Sequence, residues 1–362
     1  MSALLLSTAA SAVWVPPAPP GGAPSPQMLS WSVGEVRCDG AAIQGEAMQH
    51  PAAELATMDP QRLRATTYRF AIDATGRTRS IVRDNSDGHP FGQDIGPSLA
   101  ASRFPAGPKR ENCEIIYTPK IAPLPSAPIA DLVAYSIHPT GPKLPQAGWD
   151  RFGVVGDCRD TPRPGTLMRG YPDFSKVTPT PGSRDWSLVG YDTDDTGRPI
   201  NARVAHSTGN AELDAAAVEA VQASRFTRGA RTGCLYPYWR AAAKLAPPKR
   251  PAEEQMRPAD AVCPTKIEWT TRPSTYYPPA YRKRAIEGWA IVSFDVAPWG
   301  EIGNVKVLDA QPSADFGQQA TFIVRSARVV PSPQGASGCV KTVNFMMPTD
   351  DFAVDEEGAT TD

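Results

Sequence analysis

Six cysteines are the residues of this 362-residue chain whose type and spacing carry chemistry. They form three pairs, Cys38 with Cys113, Cys158 with Cys234 and Cys263 with Cys339, whose members lie 75, 76 and 76 residues apart. Unrelated thiols have no reason to repeat a spacing, so the pattern predicts three copies of one unit, each closed by its own disulfide. A bridge closing a loop of about 75 residues contributes on the order of 4–5 kcal/mol in the chain-entropy description. That is a large share of the stability of a unit of about 90 residues. Disulfides persist outside the reducing cytosol, so an oxidising compartment follows. Bridged sulfurs are also lost as nucleophiles.

Other reactive side chains are dispersed. His50, His89, His138 and His206 show no metal-ligand spacing. Asp194-Asp195 and Asp84-Asn85 stand at turns, where short polar side chains serve the local backbone. There is no Gly-x-Ser-x-Gly elbow and no phosphate loop. No catalytic residue, cofactor site or metal site is expected, and the chain reads as a non-enzyme. Its net charge of -1, from 37 basic and 38 acidic residues without a basic block, argues against nucleic acid as a partner.

The residues between the cysteines keep the same frame. Phe70, Tyr191 and Phe294 each stand six positions before a glycine, Gly76, Gly197 and Gly300. Ser102-Arg103-Phe104 and Ser224-Arg225-Phe226 precede the closing cysteines, and Ser326-Ala327-Arg328-Val329 is a worn third version. His50-Pro51, Tyr171-Pro172 and Tyr277-Pro278 follow the opening ones.

The elements that must position these residues are clearest in the third unit. Ala290, Val292, Phe294 and Val296 alternate with Trp289, Ile291, Ser293 and Asp295, which predicts a strand with one buried face. Ala297 to Gly300 is a turn, and Ile302 to Leu308 returns with Val305 and Val307 inward. A short helix is expected over Pro279 to Ile286, and a longer one over Phe316 to Ala327 with Phe316, Ala320, Ile323 and Val324 on one face. Val340 to Met346 is a last strand. In the second unit, Leu213 to Phe226 suits a helix capped by Asn210 or Thr208. In the first, Tyr68 to Ile72 and Thr78 to Val82 form the hairpin, and Ile95 to Phe104 a shorter helix.

The resulting fold class is α+β: three tandem small domains, each with helix and three-stranded antiparallel sheet and one internal disulfide. Residues 31–118, 149–242 and 261–349 are the units. Residues 13–30, 119–148 and 243–260 are proline-rich and read as extended linkers. Residues 350–362 are an acidic tail of disordered composition. Residues 1–12 read as the remnant of a signal peptide: Ala3 to Val15 is apolar and Ala10-Ser11-Ala12 supplies small residues for cleavage, although no Lys or Arg precedes them. That run is shorter than the roughly 20 residues needed to span a bilayer, so membrane association requires an anchor upstream.

The series Tyr277-Pro278-Pro279-Ala280, Ile286-Glu287-Gly288, Val292-Ser293-Phe294-Asp295-Val296, Gly300 and Asn304-Val305-Lys306-Val307-Leu308 resembles the C-terminal domain of the TonB family, over roughly residues 275–347. The first two units resemble it more loosely and lack the Glu-Gly signature. The resemblance implies a periplasmic protein of a Gram-negative envelope, linked to outer-membrane TonB-dependent transport. Its edge strand would pair with an extended segment of a protein or peptide, such as an outer-membrane TonB-dependent receptor. Here that strand would be Val340, Lys341, Thr342, Val343, Asn344, Phe345 and Met346, with Glu114 to Tyr117 and Leu235 to Trp239 as its counterparts. Two alternatives stand beside this one. An upstream inner-membrane anchor would make the chain an energy transducer. An aromatic patch of Trp289, Trp299, Tyr276, Tyr277 and Tyr281 would make it a module binding peptidoglycan or another envelope polymer.

Overall fold

The computed structural model describes residues 25–57, 63–84, 91–153, 156–274 and 276–348. The signal-peptide reading of residues 1–12, the acidic tail 350–362, His89 and Asn85 lie outside them. The described chain is α+β, with small antiparallel sheets and the disulfides Cys38–Cys113, Cys158–Cys234 and Cys263–Cys339.

Three hairpins organise it: Thr66–Ile72 with Thr78–Arg83, Asp185–Thr193 with Pro199–Ser207, and Gly288–Val296 with Ile302–Gln311. At their tips Gly76, Gly197 and Gly300 take φ of 80°, 81° and 88°, a conformation that favours glycine. A Cβ there would lie 1.8, 2.2 and 2.1 Å from the carbonyl oxygens of Phe104, Phe226 and Val329. The same three residues donate their N–H groups to the glycine carbonyls at 2.9, 3.0 and 3.0 Å. The turn glycine and the Ser-Arg-Phe motif are therefore two halves of one junction, in which the chain leaving the helix docks on the hairpin tip.

The serine of the motif ties in a third segment. Ser102 and Ser224 accept the N–H groups of Gln49 and Gly170 at 3.0 and 2.9 Å, next to His50-Pro51 and Tyr171-Pro172. In the third unit Ala327 takes this place, and the hydroxyl of Tyr277 donates instead to the carbonyl of Ile286.

Helices Ile95–Ala101, Ala211–Ala223 and Ala314–Ser326 follow the hairpins. Asn210 is the cap of the second, accepting from the Leu213 N–H at 3.1 Å, while the Thr208 hydroxyl accepts from the Trp186 N–H. Phe316, Ala320, Ile323 and Val324 are buried as expected. Val305 is buried beneath this helix, but Val307 stays 43 % exposed beside Gly317 at the margin of the sheet. The short helix Pro279–Lys283 stops before Ala285, whose φ of 52° ends it sooner than Ile286.

The closing strands are Arg110–Pro123, Arg231–Arg240 and Ala336–Phe345. Each sets its cysteine opposite the aromatic residue of the hairpin's first strand: Cys113 opposite Phe70, Cys234 opposite Tyr191, Cys339 opposite Phe294.

Two expectations change. The second and third sheets have three strands among the described residues, but the first has seven. Its closing strand runs for 14 residues and pairs on its far side with Gln27–Val33 and Val36–Cys38. The stretches read as extended linkers are also structured where described. Residues 119–148 complete that strand and then hold helix Ile129–Ile137, whose Leu132 and Tyr135 pack with Met28, Leu124 and Leu144. Their prolines flank the helix rather than interrupting it, which is where proline is tolerated.

The first and third units share one apolar core. Leu99, Ile81 and Tyr68 belong to the same buried cluster as Tyr281, Phe316 and Val324, whereas the second unit has a cluster of its own around Val189, Val221 and Phe226. Polar contacts seal the first junction. The Ile81 N–H donates to the Pro312 carbonyl at 2.9 Å, and the Gln311 amide exchanges hydrogen bonds with Ser80 at 2.9 and 2.8 Å. Arg284, in the third unit, pairs with Asp94 of the first at 2.5 Å, both side chains 11 % exposed. It also donates to the carbonyls of His50 and Gly182, so one guanidinium touches all three units.

Candidate functional site

The residues nominated for partner binding fall in Ala336–Phe345, except Met346, which lies just beyond the strand and is exposed. Val340, Val343 and Phe345 suit this strand, with Val343 and Phe345 on one face, and Cys339 ties its start to the segment before the first helix. It pairs with Gly288–Val296 from Gly288 opposite Phe345 to Ser293 opposite Val340 without a break in register. No second strand pairs with its other side among the described residues. In an antiparallel ladder successive residues direct their backbone groups to opposite edges. The Thr342 N–H points outward, because it donates to the Glu253 carboxylate at 2.8 Å. Val340 and Asn344 therefore face outward as well, while Lys341 and Val343 bond inward.

The segment beside this edge is the former linker. Its short 3-10 turn Glu253–Met256 lies along the strand, with the Lys341 ammonium 3.6 Å from the Glu253 carboxylate and an Arg250 N–H donated to the Asn344 side chain at 3.3 Å. Farther on, Val262 and Ser337 exchange backbone hydrogen bonds at 3.0 and 2.9 Å. Burial pushes the Glu253 carboxyl up, but the hydrogen bonds from Thr342 and the charge of Lys341 outweigh it and hold the group below its usual range.

The same segment covers the second face of the sheet. Pro248 accepts the Trp289 Nε1–H at 2.7 Å, and Met256 packs on Trp289, Ile291 and Val340. Gly288 to Val292 is thus buried on both faces, not on one. This also dismantles the expected aromatic patch. Trp289 is 2 % exposed, Tyr281 is buried edge-on against Phe316 and the half-buried Tyr277 packs edge-on against the same ring, which leaves Trp299 and Tyr276 at the surface. The alternation of residues 289–296 gave no sign of the cover, since a tryptophan on the outer face reads the same whether a linker packs on it or not.

The counterpart strands differ at the same position. Three residues after each closing cysteine stand Ile116, Pro237 and Thr342, opposite Thr67, Leu188 and Ile291. In the first sheet this edge is filled: the Ile116 carbonyl accepts the Gly34 N–H at 2.9 Å, and Gln27–Val33 continues the pairing antiparallel. Glu114 to Tyr117 is therefore central, not an edge. In the second sheet the strand is terminal, but Pro237 brings no N–H. The third sheet alone of these combines a terminal strand with an outward donor at this place.

Away from this edge, Glu54, Asp94 and His138 are engaged in packing and pairing. A cavity of about 400 Å³ between the first unit, the turn that follows helix Ile129–Ile137 and the short helix Pro279–Lys283 is lined by residues including Glu54, Asp94, His138 and Lys283. Asp94 is paired with Arg284, and Glu54 accepts the Gly92 N–H at 2.8 Å. Burial pushes the His138 imidazole down to about 3, and nearby Arg184, Lys283 and Arg284 add to the effect. His50 meets Arg284 through its carbonyl, and His206 lies exposed on a hairpin strand. Among the described residues no three His, Cys, Asp or Glu side chains gather as a metal site, and no helix is long and apolar enough to cross a membrane.

No curated protein matches the chain. The third hairpin, its two helices and its closing strand do find a family: residues 273–347 match the model described as Gram-negative bacterial TonB protein C-terminal, the family that the motifs from Tyr277 to Leu308 resemble.

Proposed function

We propose that this chain is an exported envelope protein of a Gram-negative cell. It binds a protein or peptide by adding an extended segment to the outer edge of Ala336–Phe345, in connection with outer-membrane TonB-dependent transport. The observation that carries this reading is the outward N–H of Thr342 on a terminal strand, inside the segment that matches the TonB family. Backbone pairing supplies affinity in such an arrangement and side-chain pockets supply specificity. The first sheet supports the geometry, because Gln27–Val33 pairs antiparallel with the corresponding edge of Arg110–Pro123.

The three disulfides accord with an oxidising compartment. Three diverged copies of one unit are the simplest origin of the repeated cysteine–aromatic register and of the shared glycine junction. Binding should be measured with purified protein and synthetic extended peptides from the periplasmic side of candidate receptors. Thr342→Pro removes the outward donor and is expected to weaken binding at least about tenfold, the equivalent of about 1.4 kcal/mol. Undiminished binding by that variant would refute edge addition.

A further inference from the structure

In the first sheet the segment ahead of the opening cysteine is a true strand on the closing strand's edge, with Gln27 opposite Pro123 and Val33 opposite Tyr117. The third unit places the segment ahead of Cys263 along the corresponding edge and in the same antiparallel sense, from Arg250 beside Asn344 to Val262 opposite Ser337. It does so without forming a ladder. Beyond the bridge at Val262, its hold on the edge consists of side chains: Glu253 on the Thr342 N–H and Lys341, Arg250 on Asn344, and Met256 packed on Val340. Pro251 and Pro258 bracket the six residues Ala252 to Arg257, so this stretch is poorly suited to complete a strand itself.

We infer that Arg250–Arg257 is a resident placeholder on the third unit's edge, and that the partner which displaces it is an extended peptide presenting a carboxylate at the place of Glu253. The inference rests on the edge-addition reading. It adds which segment must leave and which chemistry replaces it. The recognition elements are the outward N–H of Thr342 and the ammonium of Lys341, a donor and a cation together, which a carboxylate satisfies better than a neutral side chain. A full strand would gain backbone bonds at Val340 and Asn344, which the placeholder's side chains leave aside. Such a partner therefore has more to gain at this edge than the resident segment.

The test uses the full-length oxidised protein and a synthetic peptide of its own residues 249–258 as probe. In Glu253→Ala the Thr342 amide should exchange with solvent about tenfold faster, while the inward Lys341 and Val343 amides keep their rates. The peptide should bind Glu253→Ala about tenfold more tightly than the unaltered protein, and a peptide carrying Gln at position 253 should lose most of that gain. Equal affinity for the two proteins, no binding to Glu253→Ala, or an unchanged Thr342 amide would overturn the placeholder. Thr342→Pro separates the two claims. If the peptide binds it as well as it binds Glu253→Ala, edge addition itself is wrong; if binding is lost while the first comparison shows no difference, only the placeholder falls.

Discussion

Pro237 stands in the second closing strand where Thr342 stands in the third, each three residues past a bridged cysteine and opposite the corresponding residue of the hairpin, Leu188 or Ile291. Proline has no backbone N–H to direct outward, whereas the Thr342 backbone N–H points outward. With the first edge filled by Gln27–Val33, the three closing strands are filled, blunted and lightly covered. Exposed strand edges invite unwanted pairing, and proline or a covering segment is a recognised defence.

The second strand can be turned into the third. Pro237→Thr restores an N–H at an edge position whose hairpin partner is already in register, and should let the second sheet bind the peptides that the third binds. Titration of a Thr342→Pro/Pro237→Thr double variant checks this. Recovery of binding is expected, and its continued absence would show that more than the donor distinguishes the two edges.

Arg284 and Asp94 should govern the junction of the first and third units. Removing the guanidinium leaves a buried carboxylate without its partner, a change that costs about 3–5 kcal/mol. Arg284→Ala should lower the denaturant midpoint accordingly. Arg284→Lys should recover little, since a lysine cannot reproduce the contacts to Asp94, His50 and Gly182 together.

Shared packing also predicts how the chain melts. The first and third units lie in one buried cluster and the second in another, so calorimetry should resolve two transitions rather than three. Cys263→Ser/Cys339→Ser should destabilise the larger transition by about 4 kcal/mol and leave the smaller one in place.

Acid should weaken the junction through His138. Its folded imidazole titrates at about 3, whereas in the unfolded chain it takes up a proton near 6.5. The unfolded state therefore binds more protons between these values, and stability falls as pH drops below about 6.5, by up to about 1.4 kcal/mol per unit. His138→Gln should flatten the dependence of the melting temperature between pH 6.5 and 5.

Spacing made the bridges legible, because six cysteines in a regular frame admit a simple pairing, and alternation made the third hairpin legible. The glycines and the Ser-Arg-Phe motif were visible as repeats, but their meaning as a single junction depends on a contact between Gly76 and Phe104, or Gly197 and Phe226, that no local pattern encodes. The packing of the proline-rich stretches is hidden from the sequence for a related reason. Proline density marks chain without a long regular element, yet Pro248 and Met256 pack on Trp289 without needing one. The strand Gln27–Val33 was hidden because its pairing partner lies some 90 residues away in sequence. The closing strand Ala336–Phe345 is legible as a strand, while its cover by Glu253 is not.

The central claim is that an extended segment adds to the outer edge of Ala336–Phe345, and amide exchange along that strand tests it most directly. With Glu253→Ala protein saturated by an extended peptide from the periplasmic side of a candidate receptor, the outward amides of Val340, Thr342 and Asn344 should slow by about tenfold or more, while those of Lys341 and Val343, already bonded inward, should hardly change. Saturation with no slowing at these three amides, or with protection confined to another surface, would contradict the account.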